Sequence, residues 1–220
     1  LPSGHLNIPA GIRTLSNGLF REEAEKTLEA NGYHSGFYFT PSVRNDSLYA
    51  MKDAKSPQSS STFQGLTNAV SLFIEIRGIG LGRACFARRA ECGFLVSRSL
   101  LETAALHSKE VRSGIRKAVK EACSGKNDIS VTFQSARTEL PVTFIDLAKN
   151  ERFTEPLPTF DALQLKAELV RKRPKGYILP DTCRMQAEKL WALGIEVEEI
   201  GKPFTATVEK YMAVSYTHLR

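Results

Sequence analysis

Ten residues, Ala69 to Gly78, spell Ala-Val-Ser-Leu-Phe-Ile-Glu-Ile-Arg-Gly and set a carboxylate inside an otherwise apolar alternating run. On an extended backbone Val70, Leu72, Ile74 and Ile76 fall to one face, and Ser71, Phe73, Glu75 and Arg77 to the other. A run so rich in β-branched residues, Leu and Phe predicts an interior strand of a sheet covered on both sides. Glu75 then stands near the C-terminal end of a core strand, where open α/β sheets keep their ligand crevices. A buried ionised carboxylate without a partner is costly, so this pattern demands compensation. Arg77, two residues on and on the same face, supplies one source. A structural ion pair is therefore the alternative to a catalytic role.

The chain has 220 residues, enough to bury a full core in one large or two small domains. No uninterrupted apolar stretch approaches the roughly 20 residues of a membrane helix, so no membrane span is expected. The formal charge of +6 and the pI of about 9.2 raise the question of nucleic acid. The basic residues alternate with acidic ones, however, as in Glu110, Arg112, Arg116, Lys117, Lys120 and Glu121. The dense cluster Arg171, Lys172, Arg173 and Lys175 surrounds Pro174, reads as a solvated turn, and has no aromatic platform beside it. Nucleic acid is thus not an expected partner. Cys85, Cys92, Cys123 and Cys183 contain no C-x-x-C pair and specify neither a zinc ribbon nor a disulfide framework. Leu1 begins the chain without Met or signal peptide, as expected of a chain opening in mid-domain, and leaves the compartment undetermined; a periplasmic or secreted setting is the expectation.

Along the chain, Ile12, Leu15, Leu19 and Leu28 predict a helix closed by Asn31-Gly32. Tyr33 to Thr40 is β-like, and a polar loop spans Ser42 to Thr62. Gly78-Ile79-Gly80-Leu81-Gly82 predicts a tight reversal; it lacks the spacing of a phosphate loop. Residues 83–122 read as one long helix or two stacked ones. Beyond Gly125, Ile129–Phe133, Val142–Leu147, Leu163–Val170, Tyr177–Pro180, Glu196–Ile200 and Thr205–Tyr211 read as short strands. A helix containing Met185, Leu190 and Trp191 lies among them and ends at Gly194. The expected domains are 1–125, an α/β domain, and 126–211, a small β-rich (α+β) domain. Residues 212–220 read as a non-native tail.

Leu-Phe-Ile-Glu-Ile-Arg-Gly at 72–78, the following Ile-Gly-Leu-Gly-Arg and the preceding Phe-Gln-Gly-Leu-Thr-Asn-Ala-Val resemble the zinc carboxypeptidases. Within the carboxypeptidase A-like metallopeptidases the likeness is to a bacterial branch. Asn7-Ile8-Pro9 and Gly-Tyr-Ile-Leu-Pro at 176–180, followed by a helix and Leu-Gly-Ile-Glu-Val, extend it to about residue 211. The resemblance implies a mixed-sheet zinc-peptidase-like α/β fold, of which this chain is the C-terminal part. It implies that Glu75 is the general base: zinc acidifies water, and the carboxylate takes the proton and returns it to the leaving amine. It also implies a mobile Tyr on the loop before the base strand, for which Tyr49, 26 residues before Glu75, is the candidate. Arg44 is the candidate for holding a substrate carboxylate.

The resemblance implies zinc as cofactor, bound by a His-x-x-Glu pair and a later His, all upstream of the base. His107-Ser108-Lys109-Glu110 spells that pair but follows Glu75 and reads as a chance match. His5 precedes Glu75 by 70 residues, a separation similar to the family's, yet Pro2-Ser3-Gly4-His5 is not a strand end. His34, in its aromatic setting, reads as a hydrogen-bonded core or rim residue. A catalytic zinc needs three protein ligands, so no metal ligand is assigned to this chain and the ligands are expected upstream. The expected substrate is a peptide, or an N-acyl amino acid if the chain belongs to a deacylase of the same fold. The remaining rivals are a binding module in which Glu75 only pairs with Arg77, and a nucleic-acid-binding protein, which would require a continuous basic face.

Overall fold

The computed structural model describes residues 2–52, 55–78 and 80–210. The N-terminal helical pattern folds as α1 (Ala10–Thr14), a π-helical turn (Leu15–Phe20) and α2 (Arg21–Ala30). Gly32 ends it at φ +78°, a left-handed conformation that glycine adopts without steric cost, as the Asn31-Gly32 signal predicts. The stretch after Gly82 divides into α4 (Phe86–Leu106) and α5 (Ser108–Cys123), the two-helix alternative. Ile8, Ile12 and Ala118 form the buried cluster between the N-terminal segment and α5, with Leu66, Val70 and Ile115 packed around it. Close approach there depends on missing side chains. A Cβ on Gly114 would come 2.8 Å from Leu15 Cδ1, and one on Gly65 would come 2.5 Å from Ile8 Cδ1.

The sheet has four strands in the order β1-β2-β4-β3. They are β1 (Thr40–Arg44), β2 (Ser47–Lys52), β3 (Ile129–Asp146) and β4 (Glu151–Arg171). β1 runs antiparallel to β2, β2 parallel to β4, and β4 antiparallel to β3. An α/β chain with a mixed sheet is thus observed, but its strands differ from those expected. The polar loop predicted over 42–62 holds most of β1, all of β2 and the start of a short helix, α3 (Ser60–Leu66). Asn45 and Asp46 turn the hairpin at φ +50° and +57°, the positive values that a two-residue primed turn requires. Ser59 opens α3, its Oγ accepting the Thr62 N–H at 3.4 Å. Three expected short strands after Gly125 merge into the long β3–β4 hairpin. Tyr33–Phe39, Tyr177–Pro180, Glu196–Ile200 and 205–210 form no strand.

The largest departure concerns Ala69–Gly78. Its described residues join no sheet. Val70 docks on the Ile8–Ile12–Ala118 cluster. The Ser71 N–H donates to Ser16 Oγ at 3.2 Å, and Ser71 Oγ donates to the Ser61 carbonyl at 2.8 Å. The Ser16 hydroxyl thus takes a backbone N–H that a neighbouring strand would take in a ladder, and an α3 carbonyl holds the Ser71 side chain. Alternation alone predicted two covered faces, whereas Ile74 and Ile76 are 43% and 37% exposed.

Contacts divide the chain into two compact units, 1–175 and 176–220. The β3–β4 hairpin belongs to the first unit, joined to β2 through Ala50–Thr159, Met51–Phe160 and Lys52–Asp161. The second unit holds a 3-10 turn (Asp181–Cys183) and α6 (Arg184–Ala192), closed by Gly194 at φ +78°. Arg184 pairs there with Asp181 at 3.2 Å and Glu199 at 3.7 Å. None of residues 176–210 is buried. The proposed tail, 212–220, lies outside the described residues.

Candidate functional site

Glu75 lies on the extended segment between α3 and the glycine-rich turn, and its side chain is exposed. Arg77 is exposed too, and among the described residues neither makes an ion pair. The argument that a buried Glu75 needs a compensating charge therefore does not apply: the carboxylate is solvated. Contacts on both sides fix the segment around it. Phe73 meets Tyr38 edge-on at 6.3 Å between ring centroids. Arg89, on α4, donates to the Gly78 carbonyl at 3.3 Å and to the Gly82 carbonyl at 2.6 Å. Gly80 and Gly82 take φ +80° and +52°, so the turn after Glu75 reverses tightly, as its glycines predict.

Tyr49 is not on a loop but on β2, half-buried, with its ring edge-on to Phe160 at 5.3 Å. Arg44 ends β1, and its side chain lies outside what the structure describes. Strand alternation sends Met51 and Phe160 to the same sheet face as Tyr49, and Lys52 and Asp161 to the other. That second face holds the buried ion pair that the sequence argument sought elsewhere. Lys52 Nζ lies 3.3 Å from Asp161 Oδ2, with side chains only 9% and 6% exposed. Lys52 also sits 4.8 Å over the Phe37 ring, and Asp161 Oδ1 accepts the Leu163 N–H at 2.9 Å. Neither residue stands out in the sequence, because the pairing spans 109 residues and depends on the β2–β4 register.

The histidines are separated in role. His5 is buried, meets Phe133 edge-on at 4.6 Å, and accepts the Asn7 N–H through Nδ1 at 3.2 Å. Burial, and secondarily the charge of Arg13, hold its pKa below the ordinary 6.5. His34 is exposed rather than in the core. His107, at the α4–α5 junction, faces Glu110 at 3.3 Å on the surface. Among the described residues no three His, Cys, Asp or Glu side chains converge, so they do not fit a three-ligand zinc site. The four cysteines are free thiols. No helix among the described residues is long and apolar enough to cross a membrane.

No protein-family model matches the chain. No solved structure matches it either. It is 29% identical over 217 residues to the probable carboxypeptidase 2 of Arthroderma benhamiae, covering 97% of this chain and 41% of that protein. It is 28% identical over 217 residues to the probable carboxypeptidase 2 of Trichophyton verrucosum, with the same coverage. Against the carboxypeptidase 2 of Trichophyton equinum it is 27% identical over 214 residues, covering 97% of this chain and 40% of that protein. These relatives are fungal, where the sequence suggested a bacterial branch. The chain spans about two-fifths of the length of the curated relatives it matches. Relatives so named support a carboxypeptidase kinship.

Proposed function

We propose that this chain is part of a zinc metallocarboxypeptidase that hydrolyses peptide bonds, with Glu75 as general base. The observation that carries the reading is similarity along 97% of the chain to proteins named carboxypeptidase 2. The setting of Glu75 supports it. A base that draws a proton from water must meet water, and a carboxylate held in an ion pair would first have to leave it. Glu75 is exposed and unpaired among the described residues. In this reading Glu75 takes the proton as water attacks the peptide carbonyl and returns it to the leaving amine. Arg44 is assigned to a substrate carboxylate; Tyr49, held on β2 against Phe160, does not fit the mobile-loop role expected of it. Zinc is the cofactor the reading calls for. Its ligands are assigned to residues preceding this chain, in a longer protein of which it forms a part.

Glu75→Gln in the complete enzyme tests the assignment. It keeps the shape and removes the base, so kcat should fall about 10²- to 10⁴-fold. Zinc content should not change, and stability should stay within about 0.5 kcal/mol, as for an ordinary surface substitution. A Glu75→Gln enzyme with native turnover would overturn the catalytic role. The 220-residue chain alone should bind zinc weakly and hydrolyse no peptide. Tight, stoichiometric zinc binding by it would overturn the placement of the ligands.

A further inference from the structure

β3 ends the sheet, so among the described residues one side of its backbone meets no strand. Three prolines fix which of its groups are left over. Pro141 stands opposite Pro156, and Glu139 opposite Pro158. A pair that exchanges both N–H···O bonds cannot be built with a proline in it. Glu139 and Pro141 are therefore non-hydrogen-bonded partners of β4, and alternation adds Arg137, opposite Phe160. The backbone groups of Arg137 and Glu139 consequently point outward, away from β4. Both side chains are exposed, and the Arg137 guanidinium lies 5.4 Å from the Phe160 ring centroid. Among the described residues neither makes an ion pair. Toward its turn the hairpin also lacks support. Among the described residues β2 meets β4 at 159–161 alone, so 140–146 and 151–157 form a two-stranded ribbon. Such a ribbon is marginal in water without a third strand. Its Ile145 and Phe153 side chains are exposed.

We propose that β3 pairs edge to edge with β3 of a second copy of this chain, antiparallel and centred on Thr138. A free strand edge is a template for any extended chain, and charged side chains on it normally discourage pairing. Here the order of the charges makes the edge complementary to itself. About a twofold axis at Thr138, Arg137 of each copy stands directly opposite Glu139 of the other. Two cross-strand ion pairs form from groups that are unpaired within one chain. Moving the axis to Arg137 or to Glu139 sets like charges opposite each other, so the charges also select the register. In that register 140–143 lie beside 133–136 of the second copy, with Leu140 opposite Ala136 and Thr143 opposite Phe133. This part of the ribbon thereby gains its third strand. Pro141, opposite Ser135, offers its carbonyl there and withholds only an N–H. Two four-stranded sheets become one continuous sheet. The inference stands on the sheet alone and does not depend on the role of Glu75.

The test is sedimentation equilibrium of the 220-residue chain at low salt, where exposed ion pairs are least screened. The chain should form a dimer that dissociates on dilution. Arg137→Glu alone places two Glu–Glu pairs about the axis, and Glu139→Arg alone places two Arg–Arg pairs. Each should weaken dimerisation about tenfold or more, because two attractions become two repulsions. Mixed in equal amounts, the two variants should associate with each other about as well as the wild-type chain does with itself, since every charge then meets its opposite. A misfolded variant cannot produce that recovery. The double variant Arg137→Glu/Glu139→Arg should dimerise by itself for the same reason. A wild-type chain that stays monomeric, single variants that dimerise undiminished, or a mixture that gains no association would each overturn the inference.

Discussion

Lys52 and Asp161 show what burial does to a charge in this chain. Their separation of 3.3 Å and near-complete exclusion from water raise both the attraction and the desolvation cost. The attraction is reinforced by the Phe37 ring over Lys52 and by the Leu163 N–H on Asp161. The remaining partner would be stranded if either were removed. Asp161→Ala should therefore destabilise the protein by about 3–5 kcal/mol in urea unfolding. The double variant Lys52→Met/Asp161→Leu should recover most of that loss, because two apolar groups leave no charge to solvate. A single-variant effect near zero would show that the pair is hydrated in solution. Exposed Glu75 belongs to the opposite regime, where losing the charge should scarcely affect folding.

At the scale of elements, the N-terminal strap of residues 2–7 ties the helices to the sheet. Ser3 Oγ shares a hydrogen bond with Thr62 Oγ1 at 2.8 Å. The Asn7 side chain pairs with both backbone groups of Ser130, donating to its carbonyl and accepting its N–H, each at 2.9 Å. Between these anchors, Gly4 passes so close to β4 that an added Cβ would lie 1.8 Å from the Ala162 carbonyl oxygen. No rotamer adjustment relieves a clash with backbone, so Gly4→Ala should lift the strap from β4. The ring of His5 then regains water, and its pKa should return toward 6.5, readable by NMR titration of the imidazole. A Gly4→Ala protein with His5 still depressed would show that β4 yields instead.

For the whole molecule, the same histidine sets an acid edge to stability. Its folded pKa lies below 6.5, so the unfolded chain binds the extra proton first as pH falls. The contribution of neutral His5 is complete above the unfolded value, declines as pH drops below about 6.5, and levels off beneath the folded pKa. Urea midpoints at pH 7.5, 6 and 5 should fall in that order, and the His5→Gln variant should show a shallower decline. On the alkaline side, the hydrogen bond from Tyr33 to Glu91 raises the phenol above its ordinary 10, so this contact weakens as pH rises beyond that value. The two units should also part under protease. Lys175 is exposed, and none of residues 176–210 is buried. Brief trypsin treatment should release 1–175 as a persistent fragment. Survival of the second unit while the β3–β4 hairpin is digested would contradict that division.

Local chemistry alone determined a good part of this protein. The 3.6-residue pattern placed the N-terminal helices and α4–α5, and Gly32, Gly80, Gly82 and Gly194 stand where left-handed backbone demands them. These are short-range effects, settled within a turn of the chain, and so they are legible in it. The carboxypeptidase kinship suggested by the residues around Glu75 agrees with the relatives' names, in its coarse form only, and those relatives are fungal rather than bacterial. The Asn45-Asp46 turn carried a hairpin signal that the polar composition of 42–62 obscured. What tertiary structure decided was which alternating segments found partners. Alternation describes a strand's faces but not its neighbours, and backbone hydrogen bonds are satisfied only by whatever lies alongside. Ala69–Gly78 met helices and serine hydroxyls and stayed outside the sheet, leaving Glu75 in solvent. Residues 129–171 met themselves and β2, and that register alone brought Lys52 to Asp161 and Arg137 to Phe160.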